Sequence, residues 1–118
     1  MKKIYLAGPM TGVPFFNFPA FYKAAEALRS AGHEVFNPAE RDNERHGTDI
    51  STGNVSGCPK QAEAEHGLTL RQCLRDDTAY ICEHATTIAL LPGWENSKGC
   101  KAEHALAAAL GLEFIYLG

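Results

Sequence analysis

The sequence predicts a small α/β domain, built as one parallel β-sheet with helices on both faces. Three observations carry that prediction. Short apolar runs alternate with longer segments of helical periodicity along the whole chain. The Gly- and Pro-rich connections GPMTG and PGWENSKG each follow directly on such a run. The length, 118 residues, suits one compact domain spanning 1–118 and is too short for two.

Residues 3–7, KIYLA, read as a buried strand broken by GPMTG. Pro19 suits the first turn of a helix, where Phe21, Ala24, Ala25 and Leu28 recur at helical spacing until Gly32 ends it. Residues 34–37, EVFN, form a short strand stopped by Pro38. From 39 to 66 the chain is polar, rich in Gly, Ser, Asn and Thr, and without period. That predicts a long surface loop of the kind that often serves as a lid. A second helix over about 68–84 leads to a strand at 87–91, TIALL. After PGWENSKG a third helix covers about 98–110 with Gly111 as its C-cap, and the last strand is 113–117.

The resulting order, β-α-β-loop-α-β-α-β, argues for parallel strands. Right-handed crossovers favour the strand order 2-1-3-4, a flavodoxin-like (Rossmann-like) three-layer fold. Such a sheet reverses its direction of growth between the first and third strands. Ligands of open α/β sheets bind at that switch point, outside the carboxyl ends of the strands. Both Gly/Pro-rich connections reach it.

Composition narrows the function. Net charge is −3, with 11 basic and 14 acidic side chains mixed along the chain. That balance lacks the basic face of nucleic-acid binders and favours a small-molecule ligand over a polymer. The opening MKKIYLAGPM is too short in apolar length for a signal peptide, and nothing approaches the ~18 apolar residues that cross a bilayer. Cys58, Cys73, Cys82 and Cys100 form no C-x-x-C pair, and the five histidines are scattered. Free thiols in a reducing cytoplasm, with no metal site, are the expectation.

Two carboxylates interrupt apolar faces. On the third helix Glu103, Leu106, Ala107 and Leu110 share one stripe. A buried carboxylate must be hydrogen-bonded or face a cavity. Glu103 lies one turn into the helix, where the dipole helps keep it ionised as a nucleophile must be; alternatively it is a surface dipole partner. On the second helix Leu70, Cys73, Leu74, Asp77 and Ile81 share a stripe that Asp77 interrupts, while Asp76 points to solvent. The bland reading of Asp77 is a pair with Arg71 or Arg75. Together, on the helices flanking the third strand, the two carboxylates suggest one shared site.

Paired carboxylates suit glycosidic chemistry. Negative charge stabilises the oxocarbenium-like state at C1′, one carboxylate attacks the sugar, and the other relays a proton. Tyr5, at the carboxyl end of the first strand, is placed to orient Glu103, or else packs under a helix.

These residues resemble the nucleoside 2-deoxyribosyltransferase superfamily, in particular its short stand-alone members of phage and prophage genomes. Y-L-A-G-P (Tyr5, Gly8) is similar to the family's first strand, D-T-A-Y-I (Asp77 to Ile81) to its D-L-N-x-I helix, and S-K-G-C-K-A-E-H-A-L-A (Ser97 to Ala107) to its glycine-then-glutamate helix. The resemblance implies Glu103 as nucleophile, Asp77 as acid/base and Tyr5 as orienting hydroxyl. It also implies a substrate-binding set of Gly8, Met10 and Thr11 in the first turn with Ser97, Lys98 and Gly99 at the third helix. The chain departs from the family at Lys101, where many relatives have a second Gly, and at Thr11, where some nucleotide-cleaving relatives carry Arg.

Ser97 sits six residues before Glu103. In the family that position is Asp in transferases of free nucleosides and Ser in hydrolases of 5′-monophosphates. A hydroxyl, helix amides and Lys98 accept a phosphate that a carboxylate repels, although a plain N-cap serine is the simpler reading. The expectation is therefore an N-glycosidase or deoxyribosyltransferase of deoxynucleosides or their 5′-monophosphates. It needs no cofactor, does not associate with membranes, and assembles as a homodimer or larger homo-oligomer. Its rivals are a non-catalytic nucleotide-sensing module and a glycohydrolase of a dinucleotide such as NAD.

Overall fold

The computed structural model describes residues 1–10, 13–41 and 70–117. Thr11 and all but the first few residues of the expected loop at 39–66 lie outside the described residues.

Four strands, β1 (Lys3–Ala7), β2 (Glu34–Phe36), β3 (Thr87–Leu90) and β4 (Glu113–Tyr116), form one sheet in the order β2-β1-β3-β4. All three pairings are parallel, as the alternation of elements requires. The central strands are covered on both sides: β3 is buried throughout and β1 from Ile4 onward. This is why they read as unbroken apolar runs rather than alternating ones.

The pleat splits the core in two. Ile4, Leu6 and Ala89 turn to the face covered by α1 (Phe18–Ser30), where they meet Phe18, Phe21 and Ala25. Tyr5, Ala7, Ile88 and Leu90 turn to the other face, where α2 (Leu70–Glu83) and α3 (Lys98–Leu110) pack side by side and contribute Ile81, Cys100 and Ala107. Phe18 and Phe21, each 1% exposed, stabilise the first face by ~1.5–3 kcal/mol apiece.

Helix ends follow their local chemistry. Ser97 caps α3 by accepting from the Cys100 amide at 3.3 Å, and Gly111 closes it at φ 74°. Pro19 occupies the first turn of α1. The chain enters that helix through Phe15, Phe16 and Asn17, all in the left-handed region at φ 55°, 53° and 62°. Such residues cost about 1–2 kcal/mol each, and burial of the Phe16 ring among the α1-face side chains offsets part of it.

Three sequence expectations need correction. Pro38 does not end β2 in a loop: residues 38–41 are helical, with the Ala39 amide donating to Asn37 Oδ1 at 3.0 Å and the Arg41 amide to the Asn37 carbonyl at 3.1 Å. Asn followed by Pro is a helix start, N-cap then N1. Leu110, the last residue of α3, is 47% exposed and so leaves the inner stripe of that helix. Asp76 is held in an ion pair with Arg75 at 3.2 Å, its side chain only 21% exposed.

Gly8 is fixed by space. A Cβ there would lie 2.7 Å from Leu91 Cδ1 and 2.8 Å from Leu91 Cβ, closer than such contacts occur, so only glycine lets the ends of β1 and β3 approach. Gly8→Ala should cost ~1–3 kcal/mol in urea unfolding, and the cost should shrink in a Leu91→Ala background. An unchanged midpoint would show that the two strand ends part freely.

Candidate active site

Tyr5, third of the five residues of β1, points from mid-strand toward α2 and α3. Its Oη donates to Glu103 Oε2 at 2.7 Å. Glu103 is the inner-face residue of the second turn of α3, at 5% exposure, and Asp77 reaches the same region from α2 at 7%. Helical spacing brings the carboxylates in, and the tyrosine meets them because odd-numbered β1 residues face that side.

The electrostatics follow from burial. Glu103 is pushed up to about 8, first by removal from water and then by the negative charge of Asp77; the Tyr5 hydroxyl pulls it back only in part. The expectation that the helix dipole keeps Glu103 ionised is thus overturned for the resting site. Desolvation and a like charge outweigh a dipole worth at most ~2 kcal/mol. The Tyr5 phenol is held well above its usual range by burial, then by the charges of Glu103 and Asp77. It stays a donor. At neutral pH the resting Glu103 therefore keeps its proton.

One group went unnoticed in the sequence. Cys100, 2% exposed, lies one turn before Glu103 on the same face. Its thiol is pushed up to about 11, mainly by burial, with the nearby Ser97 hydroxyl and Gly8 backbone pulling it back in part. Cys100 is thus buried beside both the end of β1 and the cap of α3. The signal was its spacing of three from Glu103, which places both on one stripe.

The other candidates separate. Ser97 is half-buried at the α3 cap, next to Gly99, where an added Cβ would meet only ordinary contacts with Leu74 Cδ2 at 3.9 Å and Ser97 Oγ at 4.0 Å. Lys98 is exposed at the start of α3. Met10 turns away and packs against the α1-side cluster. The structure thus brings Tyr5, Asp77 and Glu103 together on the α2/α3 face, with Gly8 and Ser97 beside Cys100 beyond the strand ends. Among the described residues no group of three His, Cys, Asp or Glu could hold a metal, and no helix is long and apolar enough to cross a membrane.

Residues 2–116 match the family described as "Domain of unknown function (DUF4406)", and the chain belongs to that family. No curated protein and no solved structure matches it.

The raised Glu103 value sets a sign for stability. Between about 4.5 and about 8 the unfolded chain releases a proton that the native state keeps. Native stability is therefore undiminished below that window and falls as pH climbs through it, by a few kcal/mol at order of magnitude. Glu103→Gln removes the titration. Its melting temperature relative to wild type should rise steadily from pH 5 to pH 8.5; a constant difference would mean that Glu103 ionises normally.

Proposed function

We propose that this member of the DUF4406 family is an enzyme of the N-glycosidic bond, cleaving or transferring the deoxyribosyl group of deoxynucleoside 5′-monophosphates or deoxynucleosides. The observation that carries the reading is the buried Tyr5–Glu103 hydrogen bond beside a second carboxylate. The resemblance of the Tyr5, Asp77 and Glu103 segments to the nucleoside 2-deoxyribosyltransferase superfamily supports it independently.

The chemistry uses the proton that Glu103 holds. With substrate in place Glu103 gives up its proton and its carboxylate attacks C1′, while Asp77 relays that proton to the departing base. The C1′–N bond breaks as the Glu103–C1′ ester forms. Tyr5 donates to the other Glu103 oxygen, leaving one oxygen to react. Water, or a second base, then attacks C1′, gives its proton to Asp77 and frees Glu103.

Ser97 suits a 5′-phosphate. Its oxygen caps α3 by accepting a backbone amide, and a hydroxyl that accepts can still donate. The first-turn amides of α3 and the exposed Lys98 add positive potential at the same place. Lys98 is free to swing toward a dianion without disturbing the core.

Mass-identified release of free base from a panel of deoxynucleosides and their monophosphates tests the reading. Glu103→Gln should lower release by several orders of magnitude while the protein stays folded, and a 2′-fluoro substrate analogue should leave a covalent adduct on Glu103 of the wild type. Undiminished release by Glu103→Gln removes the proposed nucleophile.

The 5′ preference has its own measurement. The wild type should favour monophosphates, and Ser97→Asp should reverse the order by ~2–4 kcal/mol in kcat/KM. A wild type that prefers free nucleosides would leave Ser97 as a cap alone.

A further inference from the structure

Tyr5 meets Glu103 with the tip of a long side chain, so the aim of its hydroxyl depends on what holds the ring. Strand register identifies the neighbours on both sides. Tyr5 is the Cα partner of Phe36 on β2 and of Ile88 on β3. In-register neighbours on parallel strands turn their side chains to the same face. Toward β3 stands Ile88, fully buried in the same core cluster as Tyr5. Toward β2 stands Phe36, whose ring stacks on that of Tyr5 with centroids 5.7 Å apart and planes inclined by 26°.

The β2 side needs a support that the β3 side does not. β2 lies at the edge of the sheet, so no further strand backs Phe36, and its side chain is only half-buried. The backing comes from α2. Tyr80 stacks on Phe36 with centroids 4.5 Å apart, again at 26°, and lies 6.5 Å from the Tyr5 ring. Tyr80 is held at its far end, where Oη donates to Glu34 Oε2 at 3.4 Å. Glu34 and Phe36 alternate onto one face of β2, while Asp77 and Tyr80 share one stripe of α2. The helix that brings the second carboxylate thus also brings the support. Together Glu34, Tyr80, Phe36 and Tyr5 form a ladder that ends at Glu103.

Covering the Tyr5 ring does not by itself call for this ladder. An aliphatic side chain at position 36 would exclude water from one side of the ring but leave it free to tilt. Stacked rings favour particular relative planes. Tilting the Tyr5 ring displaces Oη more than any other atom, because it is farthest from the backbone, and a hydrogen bond weakens steeply off its distance and angle.

We infer that Phe36, backed by Tyr80, is a positioning residue that holds the Tyr5 hydroxyl on Glu103 Oε2 and so leaves the other carboxyl oxygen to the substrate. Its bearing on turnover rests on the glycosidic reading; the geometry does not. Because the Tyr5 hydroxyl opposes burial and Asp77 at the Glu103 proton, the positioning also has a readout apart from turnover.

The test follows the Glu103 proton in the full chain. With 13C-labelled glutamate carboxyls, the Glu103 signal is the one lost in Glu103→Gln, and its pH midpoint reports how firmly Tyr5 is aimed. Tyr5→Phe removes the bond and should raise the midpoint by about half to one pH unit. Phe36→Leu keeps apolar bulk without the flat ring and should raise it by part of that amount, whereas Phe36→Tyr should keep the wild-type value. With the hydroxyl gone there is nothing left to aim, so Phe36→Leu should add nothing to Tyr5→Phe. Tyr80→Leu, on the half-buried side of the ladder, should act as a weaker Phe36→Leu and carries the test if that variant does not fold. In turnover, Phe36→Leu should lower kcat about tenfold and leave KM in place.

A midpoint that Phe36→Leu leaves at the wild-type value overturns the inference. So does a shift as large on top of Tyr5→Phe as alone, since Phe36 then acts by packing only. A Tyr5→Phe midpoint equal to that of the wild type overturns it too, for there is then no bond to position. Failure of the glycosidase reading looks different: the wild type releases no base from any nucleotide while the midpoints still move together.

Discussion

A carboxyl group taken out of water must be hydrogen-bonded, keep its proton, or both, and Glu103 does both. Its bond to Tyr5 joins the central strand β1 to α3 across the inner face of the sheet. Much of the local design serves that junction. Gly8 lets Leu91 close over the end of β1, and Cys100 is buried between that end and the first turn of α3, where its amide donates to the Ser97 hydroxyl. Asp77 adds the second charge that keeps the proton in place. Replacing such a cluster by apolar side chains of similar size generally stabilises a fold. On the proposed function, its retention is the stability cost of a reactive site.

Strand order turns this junction into an axis. With β1 and β3 at the centre, the β1 strand and its turn, the β3–α3 turn and the end of β2 all open toward the same end of the sheet. Ligands of open α/β sheets bind at such an end, so the switch point between β1 and β3 is where a ligand of this fold is expected.

Much of this was legible from residues. Alternating apolar runs and helical stripes fixed the fold and its strand order, because parallel strands buried on both faces leave an unmistakable pattern. Glu103 and Asp77 stood out as charges on apolar stripes. What stayed hidden was cooperative or local. The proton held at Glu103 comes from desolvation plus Asp77, a three-dimensional sum that no spacing rule contains. Cys100 looked like one more apolar residue. Asn37-Pro38 was a helix signal overlooked beside a strand, since the polar composition that follows 39 suggested a loop. The left-handed entry at Phe15, Phe16 and Asn17 had no sequence cue, for none of the three is glycine.

The separation of the two hydrogen-bonded partners along the chain bears on how the protein comes into being. Tyr5 and Glu103 stand 98 residues apart, and β1 finds its central neighbour only at Thr87–Leu90. A ribosome therefore presents the first strand long before α3 and the rest of the candidate site exist, and the loop to be closed is nearly the whole polypeptide. The buried Tyr5–Glu103 bond and the proton on Glu103 therefore form only once these distant segments have closed on one another. On the proposed function, a half-folded chain would carry no reactivity toward its substrate.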